Sequence, residues 1–377
     1  MEPADSTSGG VEAAPRSAEQ AATGVRLLRG LWWAVRFTFA LFLFIGALQL
    51  MKEGAKALDI LQPGGYLVRN AGSTLGLGWL GALFVLSGSP IAATSLTLVK
   101  AGSISEIQGF TMLTGSRLGA AFVVLVTAVI YALRGGEGER FKPVSTAVMT
   151  LCATAFIYIP AAMIGLLLLN WSTFHSLDIQ FPAQFGDLID FIYGGALERV
   201  STWPAIAVFL GGLGVLLISF KVIDSVIRPP SGDEIESRRA GWFTRKWPMF
   251  ALGSLVALIT MSVAVALTVL VPLVSKKVVK REHIIPYIMG ANITTLGDTM
   301  LAAFALHSPA AVRIVLAEVI ATSFLSVLVL AFAYPQFRSA VWRFQRQMVK
   351  SKPRLAAFTA ALFAVPVGII LISGAMG

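Results

Sequence analysis

The chain has a single cysteine, Cys152, so neither an intrachain disulfide nor a cysteine metal cluster can form. Its three histidines, His175, His283 and His307, stand far apart and give no metal-ligand spacing. Charge is scarce: Asp, Glu, Lys and Arg make up 13% of the 377 residues, against 56% hydrophobic residues. A soluble protein of this length needs far more polar surface to cover its core. No nucleophile–base pair and no nucleotide-binding loop is visible, and the polar loops are too short for a catalytic domain, so the chain does not read as an enzyme. The net charge of +10 sits in short loops between apolar runs, where it orients a chain in a membrane and does not suggest nucleic acid.

What the sequence does have is long apolar runs, with a mean hydropathy of +0.77. Segments 28–51, 74–100, 104–133, 144–169, 203–227, 247–275, 284–306, 310–334 and 355–376 approach or exceed the roughly 20 residues that cross a hydrocarbon core. Residues 1–24 are polar, rich in small residues and acidic at Glu2, Asp5, Glu12 and Glu19, and read as a disordered cytoplasmic tail. The first apolar run begins near Leu27, too late for a signal peptide, and reads as a retained helix.

The loops differ sharply in charge. Arg134, Arg140 and Lys142 form one basic group; Arg228, Arg238, Arg239, Arg245 and Lys246 a second; Lys276, Lys277, Lys280 and Arg281 a third. Residues 335–354 add Arg338, Arg343, Arg346, Lys350, Lys352 and Arg354. Loop 170–202 instead carries Asp178, Asp187, Asp190 and Glu198 against Arg199. The excess of cations in cytoplasmic loops puts the basic groups inside and 170–202 outside. All basic groups fall on one side only if 74–100 and 247–275 each enter and leave on their own side. Both therefore read as re-entrant hairpins, with the N-terminus inside and the C-terminus outside, in a plasma (cytoplasmic) membrane. Lys52 and Lys56 fit this less well, because they follow the first helix on the outside.

Each hairpin segment has polar or small residues near its middle: Ser87-Gly88-Ser89-Pro90 and Thr260-Met261-Ser262. Non-helical backbone at that depth must be buried in protein or line a wet cavity. Each hairpin is followed by a break inside the next helix, at Gly115-Ser116-Arg117-Leu118-Gly119 and at Gly290-Ala291-Asn292-Ile293-Thr294-Thr295. Ser87 and Ser262 both lie 28 residues before the first glycine of their break. One hairpin opens outward and the other inward, so the two units have inverted topology, the arrangement that marks a transporter site near the midplane. The expected fold is an all-α membrane protein of about seven transmembrane helices and two re-entrant hairpins in two inverted repeats. Residues 25–170 form the first repeat, 171–202 an external loop and 203–334 the second repeat. Residues 335–353 form an amphipathic basic segment on the inner leaflet, and 354–377 an additional transmembrane helix.

The stretch Leu41-Phe42-Leu43-Phe44-Ile45-Gly46-Ala47-Leu48-Gln49-Leu50-Met51-Lys52-Glu53-Gly54, the link Ala101-Gly102-Ser103-Ile104-Ser105-Glu106 leading to Gly115, and the motif Gly290-Ala291-Asn292-Ile293-Thr294-Thr295 together resemble the sodium–phosphate cotransporter family, the type II group and its bacterial relatives. The resemblance covers roughly 40–135 and 205–335. That family carries QSSS at each hairpin turn, where this chain has Leu86-Ser87-Gly88-Ser89 and Met261-Ser262-Val263-Ala264; in the first break, Arg117 stands at the family's Asn position. The resemblance implies sodium-coupled phosphate symport by alternating access, with sodium as coupling ion and no other cofactor. The departures leave open a carrier of another solute without sodium coupling, or a non-transporting scaffold or regulator.

The residues themselves suggest two sets of ligands. Ser87, Gly88 and Ser89, with Thr260 and Ser262 as the weaker counterpart, lie where hairpin turns present N–H and hydroxyl donors to an oxyanion. Asn292, Thr294 and Thr295 supply the oxygens that suit a hard cation. Arg117 and Asp298 are charges in apolar surroundings, so each needs a partner or water. Arg117 either binds an oxyanion or pairs with Asp298, which itself belongs to the cation set. Arg313 and Glu318 read as structural, being nearer a helix end. Asn292-Ile293-Thr294 and Asn170-Trp171-Ser172 match the glycosylation pattern without structural context to support it.

Overall fold

In hydrocarbon no water satisfies backbone amides, so apolar runs of this length fold as helices that satisfy their own. The computed structural model describes residues 16–58, 65–134, 141–177, 183–226, 245–275, 279 and 281–375, and every regular element among them is helical. The first half contains α1 (Arg16–Lys56), α2 (Ala71–Val85), α3 (Ser89–Lys100), α4 (Glu106–Ala120), α5 (Phe122–Arg134) and α6 (Phe141–Asn170). Then follow α7 (Ser172–His175), α8 (Ala183–Val200), α9 (Ala205–Val226), α10 (Lys246–Thr260), α11 (Val263–Thr268) and α12 (Leu270–Ser275). The remainder is α13 (Ile284–Thr294), α14 (Leu296–Ala305), α15 (Pro309–Leu328), α16 (Tyr334–Val349) and α17 (Lys352–Ala375).

Among the described residues, six helical stretches are long and apolar enough to cross a membrane: Leu31–Lys56, Glu106–Leu133, Lys142–Asn170, Ala205–Ile223, Pro309–Val349 and Lys352–Ala375. The sequence led us to expect about seven. The difference is 284–306, which divides at Thr295 into helices of 11 and 10 residues. At 1.5 Å per residue each is only about 15 Å long, half of a roughly 30 Å hydrocarbon core. Two other expectations shift. Helix α1 already begins at Arg16, inside the segment 1–24 expected to be disordered, because Ser17-Ala18-Glu19-Gln20-Ala21-Ala22 consists largely of good helix formers; residues 1–15 lie outside the described residues. The acidic loop 171–202 holds α8, whose Tyr193 hydroxyl donates to the Phe42 carbonyl of α1 at 2.8 Å. Of the basic groups, 135–140, 227–244, 276–278 and Lys280 lie outside the described residues.

The polar centres of 74–100 and 247–275 interrupt helices. Helix α2 stops at Leu86 (φ 56°) and α10 at Met261 (φ 47°), both left-handed without being glycine. Helix α3 restarts with Pro90 in its first turn, where its missing N–H costs nothing. Helix α11 restarts under Ser262, whose hydroxyl accepts from the Val265 amide. Each interrupted pair then packs on the broken helix that follows it, through glycines too close for a side chain. A Cβ on Gly78 would lie 2.0 Å from the Met112 carbonyl oxygen, and one on Gly115 2.1 Å from that of Leu75. In the second half Gly253 stands to Tyr287, at 2.1 Å, and Gly290 to Phe250, at 2.1 Å, in the same way. Leu75, Gly78, Met112 and Gly115 each precede Phe250, Gly253, Tyr287 and Gly290 by 175 residues, and so does Leu86 Met261. Close approach through glycine lets helices associate in lipid by van der Waals contact.

Hydrogen bonds sort the segment ends. Asn70, before α2, donates to the Ser373 carbonyl at 2.8 Å; Lys100, at the end of α3, donates to the His307 carbonyl at 3.0 Å; and Gln108, early in α4, donates to the Val68 carbonyl at 2.6 Å. At the opposite end Lys246, at the start of α10, donates to the Leu330 carbonyl at 2.7 Å, and Arg281 donates to the Ser145 hydroxyl at 2.6 Å.

Candidate functional site

The buried apolar residues form two separate clusters. Along α4 and α5 one cluster ends at Leu113 and the other begins at Ala121; along α13 and α14 one ends at Ala291 and the other begins at Leu296. On α6 the change falls between Ile157 and Leu169, and on α15 after Ala317. In every case polar residues fill the interval: Thr114, Ser116 and Arg117; Asn292 and Thr295; Tyr158; Glu318, Thr322 and Ser326, all of them buried. The protein therefore carries a polar layer sandwiched between two apolar ones.

One guanidinium and two carboxyl groups occupy that layer. Arg117 Nη2 donates to the Thr299 hydroxyl, which donates to Asp298 Oδ1 at 2.8 Å, and Arg117 Nη2 lies 3.8 Å from Asp298 Oδ1. The Ser89 side chain lies near the Asp298 carboxylate, which brings the first turn of α3 to the start of α14. Glu318, fully buried at the middle of α15, accepts from Thr114 Oγ1 through Oε2 at 3.0 Å. Its neighbour Thr322 donates back to the Glu318 carbonyl at 2.5 Å. Beside them the Tyr158 hydroxyl donates to the Asn292 carbonyl at 2.7 Å, and Asn292 Nδ2 donates to Thr154 Oγ1 at 3.1 Å. Four atoms of this network have no partner among the described residues: Arg117 Nε and Nη1, Asp298 Oδ2 and Glu318 Oε1. A buried charge with spare valence is costly in this setting, so these atoms are the natural points of attachment for a ligand. An apolar cleft lined by Leu41, Phe44, Phe220 and Met261 counts Asp298 among its walls.

The expected site residues separate into two groups. Ser89, Arg117, Asp298 and Asn292 join the polar layer. Thr295 joins it too, donating to the Asn292 carbonyl at 3.2 Å. Gly88 packs on α4, where a Cβ would lie 2.9 Å from the Ser116 carbonyl oxygen, and Ser87 is half-buried beside it. The remaining hydroxyls are committed to backbone. Thr260 donates to the Val256 carbonyl at 2.8 Å, Ser262 caps α11, and Thr294 donates to the Ser254 carbonyl at 2.8 Å, tying α13 to α10. These bonds are the ordinary use of Ser and Thr inside apolar helices. Arg313 pairs with Glu106 at the end of the bundle that carries Ser105 and Ser308. Glu318, expected to be structural and near a helix end, instead sits at mid-helix in the polar layer.

The chain matches no protein-family model, no curated protein and no solved structure. The chemistry of the polar layer must therefore be argued from its own atoms. Thr114, Thr154, Tyr158 and Thr299 had no signal in sequence beyond being isolated polar residues in apolar helices. Glu318 had one, an uncompensated charge between Ala317 and Val319.

Proposed function

We propose that this chain is a secondary transporter that moves inorganic phosphate with sodium by alternating access. In this reading α2–α3 and α10–α12 are re-entrant hairpins of two inverted repeats. The glycine contacts repeated at a 175-residue interval support the repeat. Asn70 before α2 bonds Ser373, Lys100 at the end of α3 bonds His307, and Gln108 just beyond reaches back to Val68, while the ends flanking α10–α12 bond Leu330 and Ser145; these contacts support re-entrance from opposite faces. One observation carries the function: a buried arginine with two unpartnered nitrogens lies in the same layer as two carboxylates that each keep an unpartnered oxygen. A guanidinium suits an oxyanion. Carboxylate, amide and hydroxyl oxygens suit a hard cation. A site holding both is what coupled movement of an anion and a cation requires.

Two carboxylates face one arginine, which gives the layer a formal excess of negative charge when all three are ionised. That excess favours a second reading, the same kind of carrier with a different solute and no sodium dependence. Radiolabelled phosphate uptake into proteoliposomes separates the readings. Uptake stimulated by an inward sodium gradient supports the first. Transport of another solute, indifferent to sodium, supports the second. A broad solute screen without uptake points to a membrane scaffold.

A further inference from the structure

Helix α16 presents two different flanks. On one, Arg281 and Arg346 lie over the Trp342 ring at 5.4 and 5.0 Å from its centroid, and Arg343 donates to the Ser339 hydroxyl at 3.3 Å. Those cations have partners within the fold. The other flank faces α17 across an open groove of about 760 Å³, floored by Phe344, Met348, Ala357, Phe358 and Ala361. Lys350 and Arg354 also line it, both exposed, and neither makes a hydrogen bond or ion pair among the described residues. No acidic residue lines it.

We infer that this groove between α16 and α17 is a binding site for one anionic phospholipid of the cytoplasmic leaflet. Charge complementarity selects the headgroup: two free cations and no anion meet its phosphate. Apolar complementarity selects the acyl chain, because α17 runs away from Arg354 through Ala357, Phe358 and Ala361, one face of the helix at successive turns. The polarity matches a lipid in place, with the headgroup at the basic end of the bundle and the tail directed toward mid-bilayer. The edge-to-face contact of Phe344 and Phe358, at 6.3 Å between centroids, holds the two walls together beneath the groove. A free phosphate ion would satisfy the two cations but would leave the apolar floor uncovered, and a zwitterionic lipid would cover the floor but meet the cations with no net charge.

Native mass spectrometry of the purified full chain tests this, with phosphatidylglycerol and phosphatidylcholine added in turn, and inorganic phosphate as a third probe. We expect one phosphatidylglycerol retained in clear preference to phosphatidylcholine. Each basic residue near a membrane surface strengthens anionic lipid binding about fivefold, so Lys350→Gln with Arg354→Gln should erase most of a roughly 25-fold preference. Ala361→Trp, which fills the groove without touching the cations, should lower retention of both lipids, with circular dichroism confirming that helix content is kept. Equal retention of the two lipids by the unmodified chain would overturn the inference, as would an undiminished preference in the double variant. Competition by inorganic phosphate at equal concentration would assign the cations to a free anion and overturn it too.

Discussion

The Arg117 guanidinium and the Asp298 carboxylate approach to 3.8 Å, with the Thr299 hydroxyl bonded to both. Their side chains are 1% and 4% exposed, so neither can be hydrated when its partner is lost. Removing one member of such a pair costs roughly 3–5 kcal/mol, whereas removing both is often nearly neutral. Arg117→Gln alone should therefore lower the apparent Tm in detergent markedly, and Arg117→Gln with Asp298→Asn should recover part of the loss. Ligand binding is a separate readout. A charge-assisted hydrogen bond contributes roughly 1.5–3 kcal/mol, so losing it should weaken phosphate binding about tenfold or more per folded molecule. Arg117→Lys, which keeps the charge but not the fork, should retain part of it. Equal phosphate affinity in all three variants would show that Arg117 serves structure alone.

Gly115 and Gly290 make the same contact in the two halves, and they should respond alike to a methyl group. A Cβ on either would sit 2.1 Å from a backbone carbonyl oxygen. Backbone cannot swing aside as a flexible side chain does, so the helices must separate. Overpacking of this kind costs roughly 1–3 kcal/mol and sometimes more. Gly115→Ala and Gly290→Ala should each lower the apparent Tm by several degrees. Gly214→Ala, with nothing within 4 Å, should leave it unchanged or raise it. If the three variants melt together, the glycine contacts do not hold the helices.

Much of this was legible in the sequence, and the boundary has a physical cause. The interruptions at Leu86–Gly88 and Met261–Ser262 fall where Ser-Gly-Ser-Pro and Thr-Met-Ser stand in otherwise apolar runs, because only polar or helix-breaking residues stand out against such a background. Arg117 and Asp298 were visible for the same reason, as charges with no solvent to face. Glu318 lies deeper than its nearness to the start of the run 310–334 implies: nine residues beyond Pro309, it is about 14 Å along α15 and level with the polar layer. Thr260, Ser262 and Thr294 bond backbone in the structure, a use the sequence does not distinguish from a site role, since both are written with the same residues. The helix in 183–200 is obscured in sequence by the acidic residues Asp187, Asp190 and Glu198, which interrupt the apolar face made by Ile189, Tyr193, Leu197 and Val200.

Topology is open to cysteine labelling, because the native Cys152 is buried at 3% exposure and should stay silent in the folded protein. Glu198→Cys should label from outside and Ala340→Cys from inside. Arg69→Cys and Lys100→Cys flank α2–α3, and both should label from the outside if that pair re-enters. Arg245→Cys should label with Ala340→Cys. Labelling of positions 69 and 100 from opposite sides would mean that 74–100 crosses the membrane, and the proposed inverted repeat would fall with it.

The coupling ion turns on Glu318. Its Oε2 accepts from Thr114 while Oε1 has no partner among the described residues. An ionised carboxylate so buried is stable only with a cation close by, and Arg117 already engages Asp298. In the proposed transporter that cation is the coupling sodium. Glu318→Gln keeps the shape and the bond from Thr114, and it removes the negative charge alone. We expect this variant to match the parent in apparent Tm within a few degrees and to lose the sodium-gradient stimulation of phosphate uptake. Thr114→Val removes the hydrogen bond but leaves the carboxylate. If Glu318 only fastens α15 to α4, Thr114→Val, which removes the bond, should impair uptake, and Glu318→Gln, which keeps it, should not. If Glu318 carries the coupling charge, Thr114→Val should keep most of the gradient stimulation. Asn292→Ala provides the independent check, since its side chain bonds Thr154 and was expected from sequence to serve the cation. A sodium response unchanged in Asn292→Ala and abolished in Glu318→Gln would move the coupling site from the break in α13–α14 to the middle of α15. A sodium response unchanged in both variants would remove sodium from the mechanism and favour the uncoupled carrier.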